Sequence, residues 1–168
     1  MTSMERKTKK LALCAVLCAA ALTIFVIEAQ IPLPLPLPGI KLGLANIITL
    51  FALLYLSPRE AFLILSGRIL LGALFIGSPS VLLYSFSGGV ICLLSELLCL
   101  KLFGKKFIAE ISVIGAMTHN TVQVLCAALV TRTAAVFWYL PPLLIAAVIT
   151  GAFCGLCVKY MTKKYRER

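Results

Sequence analysis

Long apolar segments alternate along this chain with short breaks that contain glycine, proline or basic residues. Each apolar segment is long enough, or nearly so, to cross a hydrocarbon core of about 30 Å at about 1.5 Å per helical residue. The pattern therefore predicts an all-α, polytopic membrane protein with six transmembrane helices in a single domain of residues 1–168. The predicted helices comprise residues 10–31, 41–57, 60–77, 80–102, 107–130 and 135–159.

The break between the first two predicted helices contains four prolines that alternate with apolar residues, within residues 32–40. Proline lacks an amide hydrogen and fixes φ near −65°, so this segment suits neither a helix interior nor a central strand. We expect a stiff, extended loop that lies over a binding pocket within the membrane.

The composition supports the membrane assignment, because the chain is 61% hydrophobic and only 13% charged. Soluble domains are about 45–50% apolar and about 25% charged. If both termini are cytoplasmic, 13 of the 16 basic residues lie on the cytoplasmic side, as the positive-inside rule requires. The proline-rich loop then lies outside. The basic residues that give the net charge of +10 lie mostly at the two ends of the chain and in the breaks between apolar segments, not along one polar face. We therefore expect no nucleic-acid partner.

Polar residues within the predicted helices are informative, because an ionisable group at the bilayer centre costs about 2.5–3.5 kcal/mol and is often functional. Depth counting places most of them in the middle and outer half of the membrane. His119 and Gln123 share a helix face, and Ser87 adds a hydroxyl group at similar depth. We predict a polar cavity under the proline-rich loop. The predicted substrate-binding residues are Lys41, Asn46, Arg68, Ser87, His119, Asn120 and Gln123.

Two alternatives remain open at this point. The same polar residues are also able to join helices through hydrogen bonds without binding a ligand. Arg68 is a candidate to anchor an anionic ligand, but Glu96 is predicted at a comparable depth and would neutralise it if the two formed a pair.

No catalytic or metal site is indicated. His119 is the single histidine, and no further ligands are placed to complete a zinc site beside it. The pair Cys154 and Cys157 has a redox or metal spacing but lacks a second pair. Nothing resembles a nucleophile–base–acid arrangement. We therefore expect a protein that is not an enzyme and holds neither a metal nor a cofactor.

Small residues in the first predicted helix include Ala15 and Ala19, four positions apart. Small residues at this spacing allow a second helix to approach closely. We interpret them as a docking surface for a partner subunit.

Three stretches carry a family resemblance: PGIKLGLANIITLFAL (38–53), SGRILLGALFIGSPSVLLYSFSGG (66–89) and GAMTHNTVQV (115–124). They are similar to the Gx transporter family, which is also labelled heptaprenyl diphosphate synthase component I. The six predicted helices, Ala15 with Ala19, and the ordered outer loop also resemble the S-components of energy-coupling-factor transporters.

The resemblance implies a multi-pass subunit of a bacterial plasma membrane that captures a small molecule from outside, related to a vitamin, a flavin, an isoprenoid or a quinone. Its implied partners are membrane lipid and a transmembrane coupling subunit with ATPases, or further copies of the chain. A membrane subunit of a heptaprenyl diphosphate synthase or quinone-linked complex is the first alternative, although the sequence contains no aspartate. A scaffold for flavin-based extracellular electron transfer is the second.

Overall fold

The computed structural model describes residues 3–31, 41–76 and 79–166. These residues form six α-helices and two short 3-10 helices, which confirms the predicted all-α class. The 3-10 helices, Lys105–Phe107 and Ala134–Tyr139, precede the last two α-helices. The predicted proline-rich lid lies outside the described residues. The α-helices are α1 (Ser3–Ala29), α2 (Asn46–Tyr55), α3 (Pro58–Ile76), α4 (Pro79–Phe103), α5 (Ile108–Thr131) and α6 (Leu140–Arg166).

Local sequence explains two of the helix boundaries. The helix α3 begins with Pro58, whose fixed φ and missing amide hydrogen suit a first helical position. Just before it, the Ser57 hydroxyl donates to the Glu60 carboxylate, in the Ser-x-x-Glu spacing of a capping box. The helix α4 ends at Phe103. The next residue, Gly104, has φ of 74° and donates its amide to the Leu100 carbonyl at 3.0 Å.

Four segments of the described chain are long and apolar enough to cross a membrane. The count of six spans therefore stays a prediction, since α2 has only ten residues and would reach about 15 Å. The helix α3 carries three charged residues, Arg59, Glu60 and Arg68. The four segments are Lys7–Ala29, Leu82–Phe103, Lys105–Thr131 and Ala134–Lys163.

The short helix α2 lies in the middle of the bundle. It contacts α1, α3, α4 and α6, and seven of its ten residues are buried. Around it, α5 packs most extensively on α6 and on α4, while α3 packs on α1 and α4. The predicted helix 41–57 therefore differs from the observed one, because residues 41–45 are not helical and α2 begins only at Asn46.

The distribution of polarity is that of a membrane-type helical protein. Large apolar side chains face outward, such as Leu74 at 79% exposure and Leu129 at 77%. A soluble monomer rarely exposes such extensive apolar surface. In contrast, eleven polar or charged side chains of the described residues are buried. This arrangement suits a hydrocarbon surrounding and leaves the polar groups inside for structure or binding.

Two glycines, Gly151 and Gly155, bring α6 against the backbone of α5. A Cβ atom at Gly155 would lie 2.5 Å from the Cα atom of Ala109, and one at Gly151 would lie 2.7 Å from the Cα atom of Val113. Glycines four apart are typical of closely packed membrane helices. These two positions fix the separation of α5 and α6, and with it the width of the interior beside α2.

Candidate functional site

Eight buried polar side chains from α1 to α5 and the segment before α2 lie in the interior, and we call them the polar cluster. None is more than 8% exposed. The set includes six of the seven predicted substrate-binding residues and two glutamates. The polar cluster comprises Glu28, Lys41, Asn46, Arg68, Glu96, His119, Asn120 and Gln123.

The non-helical segment 41–45 is held by side chains of two other helices. The Gly43 amide donates to Glu28 Oε1 at 2.5 Å, and the Lys41 amide donates to Gln123 Oε1 at 3.3 Å. Gly43 has φ of 83°, which L-residues with a side chain rarely adopt. Irregular backbone at membrane depth is tolerated where protein groups satisfy it. Glu28 and Gln123 therefore explain why α2 begins as late as Asn46.

The Lys41 side chain points into the bundle. Its Nζ lies 3.3 Å from the centroid of the Phe25 ring and donates to the Phe25 carbonyl oxygen at 3.4 Å. A cation over an aromatic face is stabilised by the ring quadrupole. Lys41 thus brings a positive charge to the inner face of α1 rather than to the outer surface.

Arg68 is 3% exposed and contacts an amide rather than a carboxylate. Its Nη2 donates to Asn46 Oδ1 at 2.5 Å, and the Asn46 amide nitrogen in turn donates to Cys92 Sγ at 3.7 Å. No carboxylate forms an ion pair with Arg68 within 4.0 Å among the described residues. Arg68 and Glu96 are therefore not in direct contact, although they interact electrostatically at longer range.

The helix α5 contributes an amide–imidazole pair. Gln123 Nε2 and His119 Nε2 lie 3.0 Å apart. The backbone of α4 approaches this pair at Gly88, where a Cβ atom would lie 3.1 Å from both Gln123 Cγ and His119 Nδ1. On the opposite side, the Asn120 side-chain amide donates to the Leu143 carbonyl of α6 at 3.0 Å.

The polar cluster does not satisfy all of its own hydrogen-bonding groups. Five of its buried atoms have no partner among the described residues: Arg68 Nε, Glu28 Oε2, Glu96 Oε2, His119 Nδ1 and Asn120 Oδ1. An unsatisfied buried donor or acceptor costs about 1–3 kcal/mol. These atoms are available to water or to a ligand. The set offers one donor, up to three acceptors, and His119 Nδ1, which donates or accepts according to its tautomer.

A cavity of ≈ 10 Å³ adjoins the polar cluster. This is about the space that one water molecule needs, whereas ligand pockets usually occupy about 300–1,000 Å³. The described residues are thus packed in a closed arrangement, and a larger ligand requires movement of the lining. The cavity is lined by Gly43, Asn46, Glu96, Ser112, Ala116, Thr150, Gly151 and Cys154.

Ser87 lies apart from the other predicted residues. Its hydroxyl donates to the Leu83 carbonyl at 2.7 Å and contacts Cys126 Sγ at 3.2 Å. Helical geometry explains this position. Gly88 faces His119, and Ser87, one residue earlier, points about 100° away around the helix axis because an α-helix has 3.6 residues per turn. Ser87 therefore makes no hydrogen bond to the polar cluster among the described residues.

The sequence did not predict that Phe25, Gly43 and Cys92 are neighbours of the buried charged side chains. Phe25 carried no signal, because it is one apolar residue among many in α1. Gly43 did carry one, since a glycine inside a predicted helix lowers the expectation of helix at that point.

The predicted docking residues Ala15 and Ala19 are both exposed on α1. Ala15 also borders an open groove of ≈ 570 Å³ between α1 and α3. The apolar wall of this groove includes Leu11, Leu63 and Ile64. A face of small residues is thus available to a neighbouring helix.

Comparison with known families then identifies the chain. A profile of the family described as heptaprenyl diphosphate synthase component I matches residues 17–161. The chain belongs to this family. The resemblance to the Gx transporter family is thereby confirmed, whereas the likeness to S-components stays a prediction. No curated protein and no solved structure matches this member of the family.

Substitution of Gly43 by alanine is expected to destabilise this family member by about 1–3 kcal/mol, the usual cost of a strained backbone conformation, plus a packing cost. A Cβ atom there would lie 3.0 Å from Asn46 Nδ2 and 3.2 Å from His119 Cδ2. Gly104→Ala is the matched control, because Gly104 also has positive φ but its Cβ would meet nothing within 4 Å. Thermal unfolding in detergent measures both. An unchanged melting temperature for Gly43→Ala would contradict the role of this turn.

Proposed function

We propose that this protein is the substrate-binding membrane subunit of an uptake system for a small molecule and that it has no catalytic activity of its own. The polar cluster is the observation that carries the proposal. It places Lys41, Arg68, Glu28 and Glu96 in the interior of a bundle whose outer surface is apolar. Buried ionisable groups at membrane depth commonly mark a substrate pathway or binding site.

The chemistry of the unsatisfied atoms indicates the class of ligand. Arg68 Nε offers a donor, Glu28, Glu96 and Asn120 offer acceptors, and His119 Nδ1 offers either one according to its tautomer. A ligand with both carbonyl and N–H groups complements this set, as a flavin-type or vitamin-type heterocycle does. A quinone, with acceptors alone, complements only the donors and leaves the three acceptors without partners. We therefore favour a heterocycle with polar edges over a purely isoprenoid compound.

Binding of such a ligand requires an opening step. The cavity beside the polar cluster holds about one water molecule, at ≈ 10 Å³. The segment 41–45 is the element proposed to move, because Glu28 and Gln123 hold its backbone through single side-chain hydrogen bonds. Exchange of these two bonds for contacts with the ligand would couple opening to binding.

A partner would supply the energy for uptake. The sequence has no G-x-x-x-x-G-K-[ST] motif, so we expect ATP hydrolysis to occur in another subunit. The exposed residues Ala15 and Ala19 of α1 are the proposed contact with a transmembrane coupling subunit, because small residues allow helices to approach closely. A bacterial plasma membrane is the proposed location.

A second candidate is a membrane component of a heptaprenyl diphosphate synthase, which the description of the family favours. Chain elongation of prenyl diphosphates would call for aspartate-rich sites that hold metal and diphosphate. This chain contains six acidic residues, all glutamate. Under this candidate the chain would bind a prenyl compound and leave the chemistry to its partner.

Identification of the co-purified ligand tests the proposed function. Protein extracted in mild detergent is expected to carry a heterocyclic compound that mass spectrometry of the denatured sample detects. Asn120→Ala should reduce its occupancy at least about fivefold, since one hydrogen bond is worth about 1 kcal/mol. Thr118→Ala is the control, because the Thr118 hydroxyl bonds only to Ile114 in its own helix. A co-purified prenyl diphosphate would favour the second candidate, and equal occupancy in both variants would refute the assignment of the site.

A further inference from the structure

A groove outside the polar cluster joins three parts of the fold at one end of the bundle. Its volume is ≈ 860 Å³, and we call it the lysine groove. The end of α2, the 3-10 helix with the start of α5, and the last turns of α6 contribute to it. The lining residues are Leu54, Tyr55, Lys105, Ile108, Lys159, Thr162 and Lys163.

The charge of the lysine groove is of one sign. Three of its lining residues are lysines and none is acidic. Lys159 and Lys163 are four positions apart, so they lie on the same face of α6. The Lys105 ammonium donates to the Leu54 carbonyl at 3.3 Å, and this bond holds the third cation at the end of α2. Three ammonium groups thus surround one opening.

The position of the lysines relative to the membrane identifies the kind of occupant. Lys105 begins one segment of the described chain that is long and apolar enough to cross a membrane, and Lys163 ends another. Both therefore lie at the depth where apolar helix meets polar headgroup. Basic pockets between membrane helices at this level attract the phosphates of anionic lipids.

The remaining lining suits the apolar part of a lipid. Ile108 and Leu54 contribute aliphatic surface to the groove. The Tyr55 ring stacks on Phe51 with a centroid distance of 5.3 Å, which fixes it as a flat wall. Cations at the mouth of the groove suit the phosphate of a glycerophospholipid, and the apolar walls suit its acyl chains.

We propose that the lysine groove binds the phosphate of an anionic glycerophospholipid, with Lys105, Lys159 and Lys163 around the headgroup. This site is separate from the polar cluster and does not depend on the proposed uptake function. An acidic segment of another protein is the competing occupant, and the depth of the lysines in the membrane interface favours the lipid.

Native mass spectrometry of delipidated protein, titrated with phosphatidylglycerol or with phosphatidylcholine, tests the proposal. The native chain is expected to retain phosphatidylglycerol preferentially. The double variant Lys159→Gln/Lys163→Gln should retain at least about tenfold less, because each lysine near the surface contributes several-fold to the attraction. Inorganic phosphate in excess should not displace the lipid, since it lacks the acyl chains that the groove walls contact.

Two further variants keep the test independent of folding and of total charge. Lys159→Arg/Lys163→Arg preserves the charges and should preserve binding. Lys101→Gln/Lys106→Gln removes the same charge from exposed lysines outside the groove and should leave the lipid bound. Equal retention of the two lipids by the native chain, or an equal loss in the Lys101/Lys106 control, would overturn the proposal.

Discussion

Arg68→Met is expected to abolish ligand retention while the helical bundle stays folded. Arg68 is a buried cation with no carboxylate within 4.0 Å among the described residues. Loss of a buried charge is strongly destabilising when it leaves a direct ion-pair partner buried and unpaired, and Arg68 has no such partner among the described residues. The ligand, in contrast, loses its charged hydrogen-bond donor, and truncation of a buried charged partner costs about 2–5 kcal/mol of binding. We therefore expect a loss of affinity of at least about 30-fold.

Arg68→Met is expected to lower ligand affinity strongly and to change the stability of the bundle little, so the two effects can be measured separately. The thermal midpoint of Arg68→Met should change little, because release of the buried charge offsets the lost bond to Asn46 Oδ1. Arg68→Lys retains the charge but not the planar fork of donors, and should bind with intermediate affinity. Arg59→Met serves as the control, because Arg59 lies in the same helix and is exposed.

Ligand binding by isothermal calorimetry and unfolding by fluorescence, measured on the same preparations, decide the outcome. Normal affinity in Arg68→Met would show that Arg68 has a purely structural role. Unfolding of Arg68→Met would show that the bond to Asn46 is essential to the bundle. The polar residues would then join the helices through hydrogen bonds without binding a ligand, which is the alternative stated above.

The sequence predicted the grouping of polar residues better than their roles. Counting along the helices placed Lys41 and Asn46 in the outer part of the membrane and Arg68 near its middle, and the structure brings the three side chains into one cluster. Depth follows from a rise of about 1.5 Å per residue, which requires no tertiary information. The side of a helix that faces the interior depends on how the helices pack, which the sequence does not give. Ser87 is for this reason among the predicted substrate-binding residues, although its hydroxyl contacts Leu83 and Cys126.

Local sequence gives only one signal for the late start of α2, the glycine at position 43. Residues 41–45 are apolar enough to extend a helix, and the sequence predicted one. In the structure their backbone is satisfied by Glu28 of α1 and Gln123 of α5, which are far away along the chain. Only the folded arrangement shows that these two side chains replace helical hydrogen bonds. The role of Glu28 as a backbone acceptor was invisible for the same reason.

The sequence contains an indication of the close packing of α5 on α6 that was not among the predictions. Gly151 and Gly155 have the spacing of a membrane-helix contact, as Ala15 and Ala19 of the first helix do. The partner surface on α5 also consists of small residues, Ala109 and Ser112. The spacing of these small residues is thus a sequence signal for the most extensive helix pair of the fold.

Gly155→Leu is expected to disrupt the bundle. A Cβ atom at position 155 would already lie 2.5 Å from the Cα atom of Ala109 and 2.9 Å from Ser112 Cβ. Neighbouring backbone is unable to rotate away as a flexible side chain does, so α5 and α6 must separate. Overpacking of a core usually costs about 1–3 kcal/mol, and we expect a loss above this range because the obstacle is backbone.

Val148→Leu is the matched control for this substitution, since it adds bulk to α6 at a position that is 45% exposed. Size-exclusion chromatography and thermal unfolding in the same detergent measure the difference. Gly155→Leu should aggregate or melt far below the native chain, while Val148→Leu should behave as the native chain does. Gly155→Ala tests the contact more finely, because a single methyl group already meets backbone there. A Gly155→Leu protein that is monodisperse and melts normally would contradict the observed separation of α5 and α6, and with it the closed cavity beside Glu96.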